Sequence, residues 1–235
     1  MNRIKIILSI LQVLFTNLII AQTEYINTDR PDQSDGVYTV PKFKVQLEEG
    51  PTLAPETFIN NFMLRFGLTS STEARISLDY GRSGGGKGLM PVTFSVKQRL
   101  IEQKRLIPAI TFVAYLSINR WADKDFRDNS LPYEVKLAFE NELTSHFTLG
   151  YNIGTADQFH TMNLTLNLGY SPMDQFSAFI EYFPNISSNA ILHNVDIGLA
   201  YAPLPQLQFD LACARPIGSI YNHISTTFGV SYIFR

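Results

Sequence analysis

Apolar and polar residues alternate along the end of the chain. Over positions 224–234 the even residues are Ile, Thr, Phe, Val, Tyr and Phe, whereas the odd residues are mostly small or polar. A period of two places successive side chains on opposite faces of an extended strand. The pattern therefore predicts a C-terminal β-strand with one apolar face.

The same alternation recurs in many segments after Pro41, and turn-forming residues separate these segments. The predicted strands lie near residues 43–48, 61–66, 74–80, 93–99, 107–119, 134–140, 147–153, 162–170, 176–183, 194–201, 207–214 and 221–234. A tilted strand of about ten residues crosses a bilayer. The fold class that follows is all-β, an antiparallel transmembrane β-barrel of about twelve strands.

The connections between these strands fall into two alternating kinds. Five are short, at 67–71, 101–106, 142–146, 171–175 and 202–206, and six are mostly longer or more polar, at 50–56, 81–91, 120–132, 154–160, 184–191 and 216–220. Bacterial barrels have short periplasmic turns and longer extracellular loops. We therefore expect the first kind to be periplasmic and the second extracellular.

The N-terminal region predicts two further segments. Arg3 and Lys5 precede a mostly apolar run at 6–20 that ends before Ala21, as in a cleaved secretory signal peptide. Residues 22–41 are rich in turn formers and have no clear period. We expect a signal peptide at 1–21, a periplasmic lead-in or partial plug at 22–41, and the outer-membrane barrel at 42–235.

Composition and charge exclude other classes of protein. Beyond Ala21 no apolar run is long enough for a transmembrane helix of about 18 residues. Signal cleavage removes two of the 19 basic residues and none of the 21 acidic residues, which takes the net charge from −2 to −4. This charge argues against nucleic-acid binding. The single cysteine, Cys213, has no partner for an internal disulfide.

The charged residues of the predicted strands share the polar parity. An arginine or lysine that faced lipid near the midplane would cost about 2–4 kcal/mol, so we expect these side chains to face the lumen. The candidate lumen-lining residues are Lys44, Arg65, Arg75, Asp79, Lys97, Arg99, Glu134, Lys136, Glu140, Asp196 and Asp210. Both signs occur, so the set fits either a polar channel or a lumen that its own salt bridges fill.

Two motifs resemble other kinds of site. The glycine-rich segment 81–88 nearly matches a phosphate-binding loop, but Gly88 stands where Ser or Thr would bind magnesium, and a strand follows where the motif needs a helix. We interpret it as a flexible surface loop. The four histidines, His146, His160, His193 and His223, lack metal-ligand spacing. We predict no catalytic residues, no cofactor site and no metal site.

Two sequence segments resemble a known family. They are Thr-Asp-Arg-Pro-Asp-Gln-Ser at 28–34 followed by Val-Pro-Lys at 40–42, and Leu-Arg-Phe-Gly-Leu-Thr at 64–69 leading into Glu-Ala-Arg at 73–75. Both are similar to segments of the outer-membrane transporter-like β-barrel family named for the meta-pathway of phenol degradation. The resemblance covers the chain from about Thr28 to its end. It implies uptake of hydrophobic or aromatic solutes, and it assigns no functional residues.

The leading functional hypothesis is an outer-membrane barrel of a Gram-negative cell that passes or binds a small solute without a cofactor and without enzymatic activity. The expected partners are outer-membrane lipid, the barrel-assembly machinery and a solute of unknown identity. Three alternatives stay open. They are a structural or adhesion barrel with a sealed lumen, a lipid-directed enzyme that uses His160, His193 or His223, and a soluble periplasmic β-sandwich.

Overall fold

The computed structural model describes residues 25–187, 190–218 and 223–234, so the predicted signal peptide at 1–21 lies outside the described residues. The described chain contains fourteen strands and two 3-10 turns, Asn119–Trp121 and Asp157–Phe159. The strands are β1 Val45–Ala54, β2 Thr57–Gly67, β3 Thr72–Ser83, β4 Gly86–Leu89, β5 Val92–Ile101, β6 Ala109–Ile118, β7 Tyr133–Glu142, β8 Phe147–Ala156, β9 Thr161–Met173, β10 Phe176–Tyr182, β11 Asn185–Ser187, β12 Ile191–Leu204, β13 Leu207–Ile217 and β14 Ser225–Phe234.

The sheet closes on itself as an antiparallel barrel. Strand β1 pairs with β2 on one side and with β14 on the other, which joins the first strand to the last. Both β10 and the short β11 pair with β9 on one side and with β12 on the other, so β11 continues the position of β10 in the wall. Strand β4 pairs with β3 outside the closed path. The wall therefore has twelve strands, as predicted. Its closure rules out a β-sandwich, because the sheets of a sandwich have unpaired edge strands.

The alternation seen in the sequence corresponds to the two faces of this wall. In β14, Phe228 and Phe234 are 48% and 49% exposed, whereas Ser231 is fully buried. The outward face carries large apolar side chains around the barrel, and the inward face carries polar and charged ones. A closed sheet pairs its backbone groups internally, which is what a bilayer requires of a spanning structure.

The connections follow the predicted sorting only in part. The predicted loop at 50–56 is wrong in extent, because β1 continues to Ala54 and only Pro55 and Glu56 join it to β2. The predicted flexible loop at 81–91 is largely a hairpin, since β3 extends to Ser83 and β4 returns after a turn at Gly84 and Gly85. We call the end of the barrel with the turns at 68–71, 102–108, 143–146, 174–175 and 205–206 the short-turn side.

Residues 25–44 form no strand, and residues 25–40 pass through the interior of the barrel, whereas residues 41–43 are exposed. Their apolar side chains pack against the inward face of the wall. Val37 is buried with Ala109 and Ala138, and Ile26 and Val40 are buried with Ile233. We call residues 25–41 the lead-in. In the described part of the chain, no helix is long and apolar enough to span a membrane.

The outward face of β12 offers a test of membrane depth. Ile197 and Ile191 lie on the same face of this strand and are 59% and 55% exposed. Six residues of a tilted strand separate them by about 15 Å in height, so Ile197 lies near the midplane and Ile191 near the edge of the apolar band. Ile197→Arg is expected to destabilise the folded barrel by about 2–4 kcal/mol, and Ile191→Arg by about 0–1 kcal/mol. Reversible unfolding in lipid vesicles measures both, and equal costs would contradict the placement.

Candidate functional site

The lead-in is held inside the barrel by side chains from strands around the wall. Its backbone donates hydrogen bonds to carboxylates and an amide of the wall, which pairs backbone groups that lie inside the barrel. These bonds are Asp29 N to Glu48 at 3.3 Å, Gln33 N to Glu181 at 2.7 Å, Asp35 N to Asn152 at 2.7 Å and Val40 N to Glu73 at 2.7 Å. In addition, Thr111 Oγ1 donates to Val37 O at 2.6 Å.

Arg65 of β2 lies at the centre of a charged network on one half of the wall. Its guanidinium contacts Glu48 at 2.6 Å and Glu73 at 2.7 Å, and all three side chains are almost fully buried. Glu48 and Glu73 come from the neighbouring strands β1 and β3, so adjacent strands bring the three groups together. A buried arginine is tolerated only when its donors are paired in this way.

Asp29 of the lead-in is the shared counter-charge of three cations. Its carboxylate lies 2.6 Å from Arg75, 2.7 Å from Lys97 and 3.7 Å from Arg65. The side chain of Lys97 is fully buried, and those of the two arginines are 1% exposed. The lead-in therefore neutralises charge that the wall alone leaves unbalanced.

Asp35 of the lead-in makes a second set of ion pairs beside the first. Its carboxylate lies 3.2 Å from Arg75 and 3.2 Å from Lys136 of β7, and it accepts a short hydrogen bond from the hydroxyl of Tyr115. We call Arg65, Arg75, Lys97 and Lys136 the cationic cluster. Two lead-in aspartates thus face four cations on β2, β3, β5 and β7.

The surroundings of the lead-in carboxylates shift their pKa values in opposite directions. Burial alone would raise the pKa of Asp29, but the charges of Arg65, Lys97 and Arg75 outweigh it and hold the pKa below its ordinary value. The pKa of Asp35 is lowered in the same way against its burial, chiefly by Lys136 and Arg75. The pKa of Asp32 is raised well above its ordinary value by burial and by the nearby carboxylate of Glu181.

On the opposite half of the wall, Arg30 of the lead-in is the cation and the wall supplies the acid. Its guanidinium lies 3.2 Å from Asp210 of β13 and donates to Thr227 of β14 at 3.0 Å. A Cβ atom at Gly50 or at Gly229 would collide with this guanidinium. These two glycines therefore form a slot that Arg30 fills.

Asp32 and two wall carboxylates gather beyond Arg30. Asn167 Nδ2 donates to Asp32 at 2.7 Å, and Glu181 accepts a short hydrogen bond from the hydroxyl of Ser34. Asp196 lies opposite Glu181 in the β10–β12 register. Both wall residues are at most 2% exposed. Among the described residues no group of three His, Cys, Asp or Glu side chains could hold a metal ion.

A cavity of about 740 Å³ lies between the lead-in and the wall. It reaches the short-turn side, where Ser171 and Gln175 line it. The inward side chains along this stretch are mostly small, with Phe179 as an exception, whereas those on the cationic half are long. We call Thr148, Gly150, Gly169, Ser177 and Ala200 the small-residue wall, and all five line the cavity. The lead-in packs against the long side chains, and the space beside the short ones stays open.

Of the remaining candidate residues, Glu134 contacts the cationic cluster and the others lie away from it. Glu134 contacts Lys136 at 2.9 Å, and Glu140 lines the cavity. Asp79 accepts from Asn61 at 2.5 Å, and Arg99 contacts Glu102 at 3.3 Å near the short-turn side. Lys44 precedes β1 and is half-buried. The structure thus brings Arg65, Arg75, Lys97, Glu134 and Lys136 into one network, and it places Asp196 and Asp210 on the other half.

The candidate set omitted several charged residues that the structure places inside the barrel. They are Asp29, Arg30, Asp32, Asp35, Glu48, Glu73 and Glu181. The alternation could have identified two of them as inward-facing. Glu48 alternates with the apolar Leu47, and Glu73 stands two residues before Arg75, on the same face of the strand. The lead-in residues have no such signal, because the segment has no period.

The rim histidines and the glycine-rich segment form no catalytic arrangement with the charged network. His160, His193 and His223 are exposed, and His193 Nδ1 lies 2.6 Å from the Tyr182 hydroxyl. The segment 81–88 is the β3–β4 hairpin, with Asp123 and Asp125 accepting hydrogen bonds from its backbone at Leu89 and Lys87. No helix follows it; β5 does.

The fold defines the chain as a closed β-barrel of the outer-membrane type with its N-terminal segment inside. Residues 28–216 match the model of the family described as "Putative MetA-pathway of phenol degradation". The chain therefore belongs to that family, which confirms the resemblance seen in the sequence. A comparison with curated proteins gives no match.

Solved structures of outer-membrane channels share the fold. The COG4313 outer membrane channel from Pseudomonas putida F1 is similar over 87% of this chain and 100% of its own, with a TM-score of 0.64 and 10% identity. The KdgM porin in complex with disordered oligogalacturonate is similar over 81% and 99%, with a TM-score of 0.62 and 12% identity. The CymD monoaromatic hydrocarbon channel is similar over 83% and 88%, with a TM-score of 0.50 and 8% identity.

The ion pairs of Arg65 generate a prediction about stability. Arg65→Met leaves Glu48, Glu73 and Asp29 without their shared cation, so we expect it to destabilise the barrel by about 3–5 kcal/mol. Arg99→Met is the matched control, because Arg99 pairs with Glu102, whose side chain is 73% exposed, and should cost at most about 1 kcal/mol. Unfolding in detergent with urea compares the two, and a cost for Arg65→Met no larger than the control would contradict the analysis.

Proposed function

We propose that the protein is an outer-membrane channel for small polar solutes, aromatic compounds included, and that the lead-in is its closing element. The observation that carries the proposal is the cavity between the lead-in and the small-residue wall. Its volume of about 740 Å³ lies within the range of sites for small molecules. The aromatic side chains of Tyr25, Tyr38 and Phe179 border the same space.

The residues that border the cavity favour polar solutes over purely apolar ones. Asp32, Asn167 and Gln208 face it together with Glu140. A solute that lacked polar groups would displace water from these side chains without replacing the hydrogen bonds. The membership of a family named for phenol degradation and the channel folds of similar structures agree with passage of small solutes.

A sealed structural barrel is the second candidate, and the density of ion pairs around the lead-in favours it. Two aspartates of the lead-in pair with three buried cations and with the partly buried Lys136, and Arg30 pairs with Asp210. These ion pairs oppose displacement of the lead-in from the barrel. The two candidates differ in whether solute passes through the barrel and in whether the lead-in moves to allow it.

A reversible disulfide tests this motion. Ser34 Oγ lies 2.7 Å from Thr165 Oγ1 of β9, so cysteines at both positions place their sulfur atoms close to the disulfide distance of about 2.05 Å. The exposed Cys213 is replaced by serine in this variant. Under oxidation the lead-in is tethered to the wall, and we expect lower conductance in planar bilayers than after reduction with dithiothreitol.

The single variant Ser34→Cys in the same Cys213→Ser background is the control and should not respond to reduction. Gel mobility of proteolysed protein verifies the tether. If the tethered and the reduced barrels conduct equally, solute passage is independent of lead-in motion. If neither conducts, the sealed barrel is the better description.

A second prediction concerns the cavity itself. Ala200 faces the cavity, and its neighbour Leu199 points outward with 47% exposure. Ala200→Trp fills part of the space, so we expect the rate of liposome swelling to fall by about two-fold or more. Leu199→Trp adds the same side chain on the lipid face and should leave the rate unchanged. Equal rates in both variants would place the solute path elsewhere.

A further inference from the structure

Arg75 and Lys97 differ from the other buried cations in the origin of their counter-charges. Arg65 is paired by Glu48 and Glu73, and Lys136 is paired by Glu134, all on the wall. Among the described residues the carboxylate within 4.0 Å of Lys97 is that of Asp29. Arg75 contacts Asp29 at 2.6 Å and Asp35 at 3.2 Å, whereas its nearest wall carboxylate, Glu73, is 3.7 Å away.

The two cations and their neighbours are arranged as a binding site for a carboxylate. Lys97 Nζ donates to both oxygens of Asp29, at 2.7 and 2.9 Å, and Arg75 donates to one of them. Arg75 is itself oriented by Ser95, which accepts from Nε at 3.0 Å, and by Tyr115, which accepts from Nη2 at 3.2 Å. Arg75 is therefore held in place by the wall and not by its ligand alone.

We propose that Arg75 and Lys97 form a carboxylate-binding site for solutes and that Asp29 occupies it as an internal ligand while the lead-in is inside the barrel. The ligand class is a small carboxylate. This inference rests on the proposed function, because a solute reaches the two cations only when the lead-in moves aside. A solute carboxylate then replaces the counter-charge that the lead-in withdraws, since two buried cations without one are costly.

The variant Asp29→Ala in the full-length protein tests the site, with formate as the probe. The substitution removes the carboxyl carbon and both oxygens, and formate consists of those atoms. In detergent, we expect formate to raise the unfolding temperature of Asp29→Ala by about 2–4 °C at about five times its dissociation constant, relative to chloride at equal ionic strength. The wild-type protein, in which Asp29 fills the site, should show no such difference.

Two controls separate a specific site from a general salt effect. Asp32→Ala removes the same atoms from the same segment, but Asp32 faces Asn167 and Glu181 instead of cations, so formate should not stabilise it. The double variant Asp29→Ala with Lys97→Met should lose the response to formate. If Asp29→Ala does not fold in cells, its refolding yield from urea in formate against chloride is the measurement.

The proposal is overturned if formate acts equally on Asp29→Ala, Asp32→Ala and the wild-type protein, or if the double variant keeps the full response. Failure of the channel itself has a different signature. A specific formate response together with conductance that never changes with the position of the lead-in would support the site and contradict the proposed function.

Discussion

The structure depends on the neutralisation of four cations inside a closed barrel, three of them buried and Lys136 partly buried. Arg65, Arg75, Lys97 and Lys136 point away from the lipid, where each would be unfavourable, into an interior where each needs a counter-charge. The wall provides carboxylates for Arg65 and Lys136. The lead-in provides Asp29 and Asp35 for the others. The path of the N-terminal segment through the barrel follows from this requirement.

The same requirement explains why the interior is filled on one side only. Long charged side chains on β1–β3 and β5 form ion pairs and hydrogen bonds with one another and with the lead-in. The inward residues of β8–β10 and β12 are mostly small along the short-turn side, and the cavity lies there. One chain segment thus divides the lumen into a packed half and a half that holds a cavity reaching the short-turn side.

The sequence predicted the wall well and the interior poorly, for different physical reasons. Alternation is a property of each strand, so the twelve-strand barrel and the inward parity of Arg65 and Lys97 could be inferred residue by residue. The bounds of β1 and the β3–β4 hairpin could not, because Gly50 and the glycines at 84–88 resemble turn residues. Strands can extend through such residues when a neighbour pairs with them.

The lead-in contacts could not be predicted from periodicity, because an irregular segment has none. The two motif segments that carried the family resemblance nevertheless meet in space. Asp29 of the first contacts Arg65 and Arg75 of the second, and Gly67 lies against the backbone of Val40 and Pro41, where a Cβ atom would collide. Because the two motifs are far apart in the sequence, the contacts of Asp29 with Arg65 and Arg75 could not be inferred from either motif alone.

The conductance of single barrels without the lead-in tests the central claim most directly. The comparison is between the full-length protein and a variant that lacks residues 28–41, with folding of both verified by heat-modifiable migration on gels. If the lead-in closes the lumen, the shortened barrel conducts more than the full-length protein at the same voltage and salt concentration. Unchanged conductance in a folded, shortened barrel would contradict the account.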